Sequence, residues 1–266
     1  NKIDFIKNSI NFYKLDFGID DIVKPDQIFL LTFLATLSGF SAIDVEAKEG
    51  IIKIAIEAIT KAKQKSKELN IEFIHNPLLC ISLGINLISN LDDQMIYEKI
   101  GYFKDIEIDI IDLHFNENDF LSNTKKIDFI CNLFKEKIIS VNLSRKRLSN
   151  IHMIDLLEKC FSYSKKNLVI EVEGMRFYEQ NYSHILQTVS TADIINKQFI
   201  KKSPKYRGIP IIFGNCINKD MENLAYKCNV PFKGISIDYQ YINNFLNKAS
   251  LDFNDIEIIR ALRKLN

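Results

Sequence analysis

IISVNLSRKRLSNIHMIDLLEKCFSYSKKNLVIEV, residues 138–172, holds one complete structural unit. Its two ends are short apolar runs rich in β-branched residues: Ile138, Ile139 and Val141 on one side, Val169, Ile170 and Val172 on the other. Such runs suit strands that are covered on both faces. Between them Ile154, Leu157 and Phe161 recur at helical spacing over residues 150–164. Strand, helix and strand in this order make a parallel crossover.

The same alternation extends in both directions. Eight strand candidates cover residues 12–16, 42–46, 78–83, 106–113, 138–142, 168–172, 209–214 and 234–238, the first being the weakest. Helical periodicity fills the intervals at 25–38, 48–69, 123–136, 150–164, 188–200 and 218–228, and again at 241–248 and 255–265. Pro25 suits a first helical turn and Gly39 a helix C-cap, and Asn218 suits an N-cap. Eight β-α units in series predict a closed (β/α)8 barrel over an open doubly wound sheet. The 266 residues suit one domain over 1–266, with irregularity expected in the first strand and in the segment 84–103.

Composition narrows the function classes. A formal net charge of +1 gives no reason to expect nucleic acid as a partner. No apolar run reaches the roughly 18–20 residues of a membrane span. Cys80, Cys131, Cys160, Cys216 and Cys228 show no C-x-x-C pair, which points to a reducing compartment. The four histidines form no H-x-x-x-H pair, so a zinc site is not expected, and no other cofactor is expected either. The chain opens on Asn1 rather than methionine, which suits a removed segment before it.

Barrel enzymes carry their chemistry at the C-terminal ends of the strands. Those ends read Asp16, Asp44 with Glu46, Ser82, Asp112 with His114, Asn142, Glu171 with Glu173, Asn215 and Asp238. If the chain is an enzyme, Asp44, Glu46, His114, Glu171, Glu173 and Asp238 are its candidate catalytic residues. A cation site or an acid–base pair would gather several of these carboxylates within about 5 Å of one point. The plainer reading is that they cap helices or meet lysines, as strand-end acids often do. Arg145 and Arg147 could meet an anion, or simply face solvent.

Phosphate-binding barrels place paired glycines after strand seven and Gly-Ser after strand eight, so that backbone amides can approach the anion. Here strand seven ends Phe213-Gly214-Asn215, and strand eight runs from Gly234 to Asp238-Tyr239. Gly214, Asn215 and Gly234 are what remains of that pattern. A carboxylate at Asp238 would repel a phosphate by an energy on the order of kilocalories unless a cation intervened.

Several pieces, taken in order, resemble a known family. They are Gly39–Ala47 (GFSAIDVEA), Pro77–Leu83 (PLLCISL), Tyr102–Asp109 (YFKDIEID), Glu171–Gly174 (EVEG), Phe213–Asn218 (FGNCIN) and Gly234–Tyr239 (GISIDY). Together the chain resembles the barrel part of the light-dependent period (LdpA-type) proteins of cyanobacteria and a related barrel family of cyanobacteria and plastid genomes. Those proteins carry a cysteine-rich iron–sulfur insertion after the third piece. Here Asp109 leads into Ile110-Ile111-Asp112, with no cysteine before Cys131. A cluster needs about four closely spaced thiolates, so it is absent there. The resemblance implies a plastid stroma or a cyanobacterial cytoplasm. With the phosphate glycines reduced, it implies a non-catalytic regulatory or structural barrel that acts through protein partners in a larger assembly. The alternative is a barrel enzyme (lyase, isomerase or hydrolase) with an acidic mouth that could bind a metal. Tyr239, Tyr241, Phe245 and Leu246 could serve as a partner surface or as core.

Overall fold

A computed structural model describes residues 2–9, 11–18, 23–84, 88, 90–115, 121, 123–143, 148–173, 182–214, 219–249 and 255–264. Eight parallel strands close on themselves in sequence order, with β1 paired to both β2 and β8. They are β1 (Phe12–Asp16), β2 (Ala42–Glu46), β3 (Leu78–Gly84), β4 (Ile110–His114), β5 (Ile138–Leu143), β6 (Leu168–Glu173), β7 (Ile211–Gly214) and β8 (Phe232–Asp238). Helices follow every strand: α2 (Pro25–Ser38), α3 (Glu49–Glu68), α4 (Asp93–Ile100), α5 (Thr124–Leu133), α6 (Asn150–Ser164), α7 (Tyr182–Gln198), α8 (Lys219–Lys227), α9 (Tyr239–Ala249) and α10 (Asp255–Arg263). This is the (β/α)8 barrel that the alternation predicts.

The differences are local. The expected strand over 106–113 is shorter and begins at Ile110, after a 3-10 turn at Gly101–Lys104. The segment 84–103 contributes α4, which Asp92 caps by accepting a hydrogen bond from the Met95 amide at 2.8 Å. The first strand is regular, paired in parallel over all five residues with β8 and over Lys14–Asp16 with β2. Asn218, Arg145 and Arg147 lie outside the described residues.

One helix has no counterpart in the sequence expectation. The short α1 (Lys2–Asn8) packs Ile3 and Ile6 into the N-terminal end of the barrel. There they meet Phe12, Ala42, Leu78, Ile110, Ile138, Val169 and Ile212. Lys2 pairs with Asp109 just before β4, which fixes the plug.

Strand side chains alternate between faces. The outward set (Leu15, Ile43, Ile81, Ile111, Val141, Ile170, Phe213, Ile237) is apolar and packs under the helices. The inward set changes character along the barrel. Its lower layer is the apolar plug just described. Its middle holds Lys14, Asp44, Ser82, Asp112, Ser140, Glu171 and Ser236, all buried. A barrel interior is ordinarily filled by bulky branched side chains, so a charged middle layer is the feature that needs a chemical account. Tyr239, Tyr241 and Phe245 are partly buried against the core and Leu246 is buried, so they pack inward as core. Among the described residues no helix is long and apolar enough to cross a membrane.

Candidate active site

Lys14 points from the middle of β1 into the barrel. Its side chain is 3 % exposed, and its ammonium stands 2.7 Å from Asp44 Oδ2, 3.0 Å from Asp112 Oδ2 and 2.6 Å from Glu171 Oε2. Strands β1, β2, β4 and β6 thus meet at one cation. An ammonium has three donors, and three carboxylates face them. Ser82 donates to Asp44 Oδ1 at 2.9 Å. Toward the mouth, His114 Nε2 lies 3.3 Å from both Asp112 Oδ2 and Ser82 Oγ. The His114 side chain is 14 % exposed, while the groups beneath it are nearly sealed.

Charge sets the protonation of this cluster. Burial alone would strip the proton from Lys14, but Asp112, Asp44 and Glu171 outweigh it and hold the ammonium well above its ordinary range. Burial works against Asp112 too, yet Lys14 and His114 hold its carboxyl well below the usual carboxylate range. For Asp44 burial wins over Lys14, and its carboxyl rises to about 6. Glu171 rises further, to about 8, through burial and then the negative charge of Asp112 and Asp16. His114 is pushed up to about 9, because Asp112 overcomes the cost of burying the imidazolium. At neutral pH two cations therefore face two carboxylates, and Glu171 keeps its proton. That proton spares the cluster a third carboxylate charge beside Asp44 and Asp112.

Gly214 makes room for Glu171. A Cβ at Gly214 would stand 2.8 Å from Glu171 Oε1 and 3.4 Å from the Glu173 backbone. Among the described residues no hydrogen-bond partner reaches Glu171 Oε1, Asp112 Oδ1 or the Ser236 hydroxyl. Buried polar atoms of this kind are uncommon and mark places where another group can be received.

The acids singled out from sequence divide. Asp44, Glu171 and His114 join the cluster around Lys14 and Asp112. Glu46 turns to the exposed Lys48 at 2.8 Å. Asp238 Oδ1 accepts from the Gln240 amide at 2.7 Å and caps α9, whose first residue is Tyr239. Asp16 does the same for the turn after β1, accepting from the Gly18 amide at 2.8 Å. Glu173 ends β6 beside Gly214. The point of convergence is thus an ammonium rather than an open cation position. Asp44, Cys80 and Asp112 do set one potential ligand atom each within 4.8 Å of one another. Lys14 already stands in contact with two of them, so a divalent ion there would have to displace it.

The reduced phosphate pattern also resolves into separate parts. Gly214 faces Glu171. Gly234 does not reach the mouth, contrary to the expectation that grouped it there: it lies four residues before Asp238, and a Cβ on it would meet Phe12 O at 1.8 Å. Its missing side chain serves the close approach of β8 to β1. Asn215 lies outside the described residues. Lys14 is not among the residues that the sequence singles out. The available signal is period-two polarity inside buried strands, as in Lys14/Asp16, Asp44/Glu46, Asp112/His114 and Glu171/Glu173.

No family model and no curated protein matches the chain. Solved structures share its fold. A truncated 3-deoxy-D-arabino-heptulosonate 7-phosphate synthase from Thermotoga maritima aligns over 97 % of this chain and 87 % of its own, at 12 % identity and a TM-score of 0.55. An N-acetylneuraminic acid synthetase from Leptospira borgpetersenii covers 97 % and 82 %, at 16 % identity and 0.56. A fructose-bisphosphate aldolase from Campylobacter jejuni covers 99 % and 89 %, at 9 % identity and 0.53. At such identities the likeness is one of fold.

Proposed function

We propose that the chain is a barrel enzyme, a lyase or isomerase that moves protons on a small oxygenated substrate at the C-terminal mouth. The observation that carries this reading is the buried cluster itself: one ammonium within 3.0 Å of three carboxylates, capped on the mouth side by His114. Structure alone gives little reason to build it. Replacing buried ion clusters by well-packed apolar side chains is often neutral or stabilising. Strongly shifted titrating groups that cluster in one place are characteristic of working sites.

The roles follow from position and charge. His114 is the member nearest the mouth and carries its proton at neutral pH, so it serves as general acid toward a substrate oxygen. Asp112, ionised throughout, orients the imidazole and holds its charge. Asp44, ionised at neutral pH, is the base that accepts the proton leaving carbon, and Glu171, protonated beneath, is a second proton source. Lys14 touches three carboxylates and is a positioning residue that keeps them in place. The synthases and aldolases sharing the fold accord with this reading, which we prefer to the non-catalytic barrel. From the sequence resemblance we carry a plastid or cyanobacterial setting into the proposal.

The test works with an unidentified substrate. The protein is incubated in deuterium oxide with a panel of 2-oxo acids, 2-hydroxy acids and keto sugars, and deuterium at carbon is read by NMR. Protein-dependent exchange is expected with at least one compound. It should fall by a factor on the order of 100 or more in His114→Asn, the scale of a lost general acid. No exchange across the panel, or exchange untouched in His114→Asn, would count against the proposal.

A further inference from the structure

The opposite face of the barrel carries a second candidate site. A cavity of about 570 Å³ opens where the chain enters β7 and β8, at the N-terminal ends of the strands and away from His114. Its wall is apolar, with Ile200, Ile209 and Pro231, and its charged lining is Lys201, Arg207 and Lys233. Among the described residues no acidic one lines it.

These three cations differ from the lysines around them. Lys197 pairs with Asp193 and Lys202 with Glu158, each at 2.7 Å. Among the described residues, no carboxylate or carbonyl meets the side chains of Lys201, Arg207 or Lys233. Lys201 and Arg207 are exposed and Lys233 is half-buried, so the hollow offers an entering anion three cations and no competing carboxylate among its lining residues.

The backbone supports the same reading. Ile211 pairs with Phe232, but Ile212 pairs with Gly234, so Lys233 is an extra residue in β8. Bulges of this kind re-aim a side chain. Its two neighbours are fixed on either side. Phe232 stacks on Phe213 with ring centroids 5.2 Å apart, and Gly234 is pressed against Phe12. The irregularity therefore falls on Lys233, which is half-buried and lines the cavity.

We propose that this cavity binds a small organic phosphate, its phosphoryl groups held by Lys201, Arg207 and Lys233 and its less polar body against Ile200, Ile209 and Pro231. Guanidinium forks suit phosphoryl oxygens, and the volume falls in the ordinary range of small-molecule sites. The site is independent of the chemistry proposed for the mouth.

Calorimetric titration of the full chain at low salt tests it with three probes: adenosine diphosphate, inorganic pyrophosphate and adenosine. The diphosphate should bind, pyrophosphate should bind at least about tenfold more weakly for want of a body, and adenosine should not be detected. The triple variant K201Q/R207Q/K233Q should lose at least about tenfold in affinity for the diphosphate, as expected for lost charge-assisted contacts. A control of equal charge change on α3, K53Q/K61Q/K65Q, should keep it. Circular dichroism checks folding of the triple variant, and Arg207→Gln alone, at an exposed position, serves if it is perturbed. Absence of binding by all three probes overturns the proposal. So does equal affinity in wild type and triple variant, or in R207Q where that variant stands in. Pyrophosphate binding as tightly as the diphosphate overturns the organic body and leaves a simple anion site.

Discussion

Glu171→Gln should make the protein less sensitive to alkaline pH. Burial and neighbouring negative charge raise the Glu171 carboxyl from 4.5 to about 8. The native state then holds a proton that the unfolded chain has released. The stability tied to that proton is fully present below about pH 4.5 and is lost as pH rises through about 8. The gap corresponds to roughly 5 kcal/mol at about 1.4 kcal/mol per pH unit, and about 4 kcal/mol of it falls above pH 5. Asp44, raised to about 6, and His114, raised to about 9, act in the same direction over their own ranges. Asp112 is lowered, so its contribution is lost only in acid, below the ordinary carboxylate range. Wild-type stability should therefore fall from pH 5 to pH 9. Glutamine keeps the shape and an acceptor for Lys14 but cannot ionise. The variant should lose at least about 2 kcal/mol less over that interval, half the bookkeeping figure, to allow for relaxation of the site. Urea denaturation at both pH values, followed by circular dichroism because the chain has no tryptophan, measures this. A wild type whose stability is flat or rises toward pH 9, or a variant with an unchanged slope, would refute the reasoning.

Other substitutions probe the same interior. Lys14→Met leaves three buried acids without their cation and should cost about 3–5 kcal/mol at pH 7 by urea denaturation. The loss should be smaller at pH 5, where Asp44 takes up a proton and Glu171 is already neutral. Gly234→Ala drives a methyl group into Phe12 O at 1.8 Å, where backbone must move. It should destabilise by more than the roughly 1–3 kcal/mol of ordinary overpacking and lower the melting temperature accordingly. Thiol labelling of the native protein should modify the exposed Cys228 quickly and leave the buried Cys80, Cys131 and Cys160 unreacted until unfolding.

The barrel is legible in the sequence because its outward-facing residues are uniformly apolar. Ile139 and Val141, or Ile170 and Val172, read as strands whatever lies between them. The cluster is only half legible for a related reason. Its members are those interleaved residues, and a strand-end acid looks the same whether it caps a helix or faces the barrel axis. Asp238 and Glu171 are both acids near strand ends. Asp238 turns to the amide of Gln240, while Glu171 meets Lys14 across the barrel. Only the closure of β1 against β8 brings Lys14 to the centre, and residues 12–16 form the weakest strand in the sequence. Helix α1 is not legible at all, because seven residues are too few to show periodicity and its burial depends on the open end of a barrel already formed.

His114 is the member of the cluster that meets the mouth, and its protonation decides whether the site holds an acid at neutral pH. NMR titration of its imidazole, assigned through His114→Asn, measures that directly. A midpoint near 9 in the wild type, falling toward 6.5 in Asp112→Asn, is the predicted result. A wild-type midpoint at or below 6.5 would contradict it, because His114 would then reach the mouth without its proton.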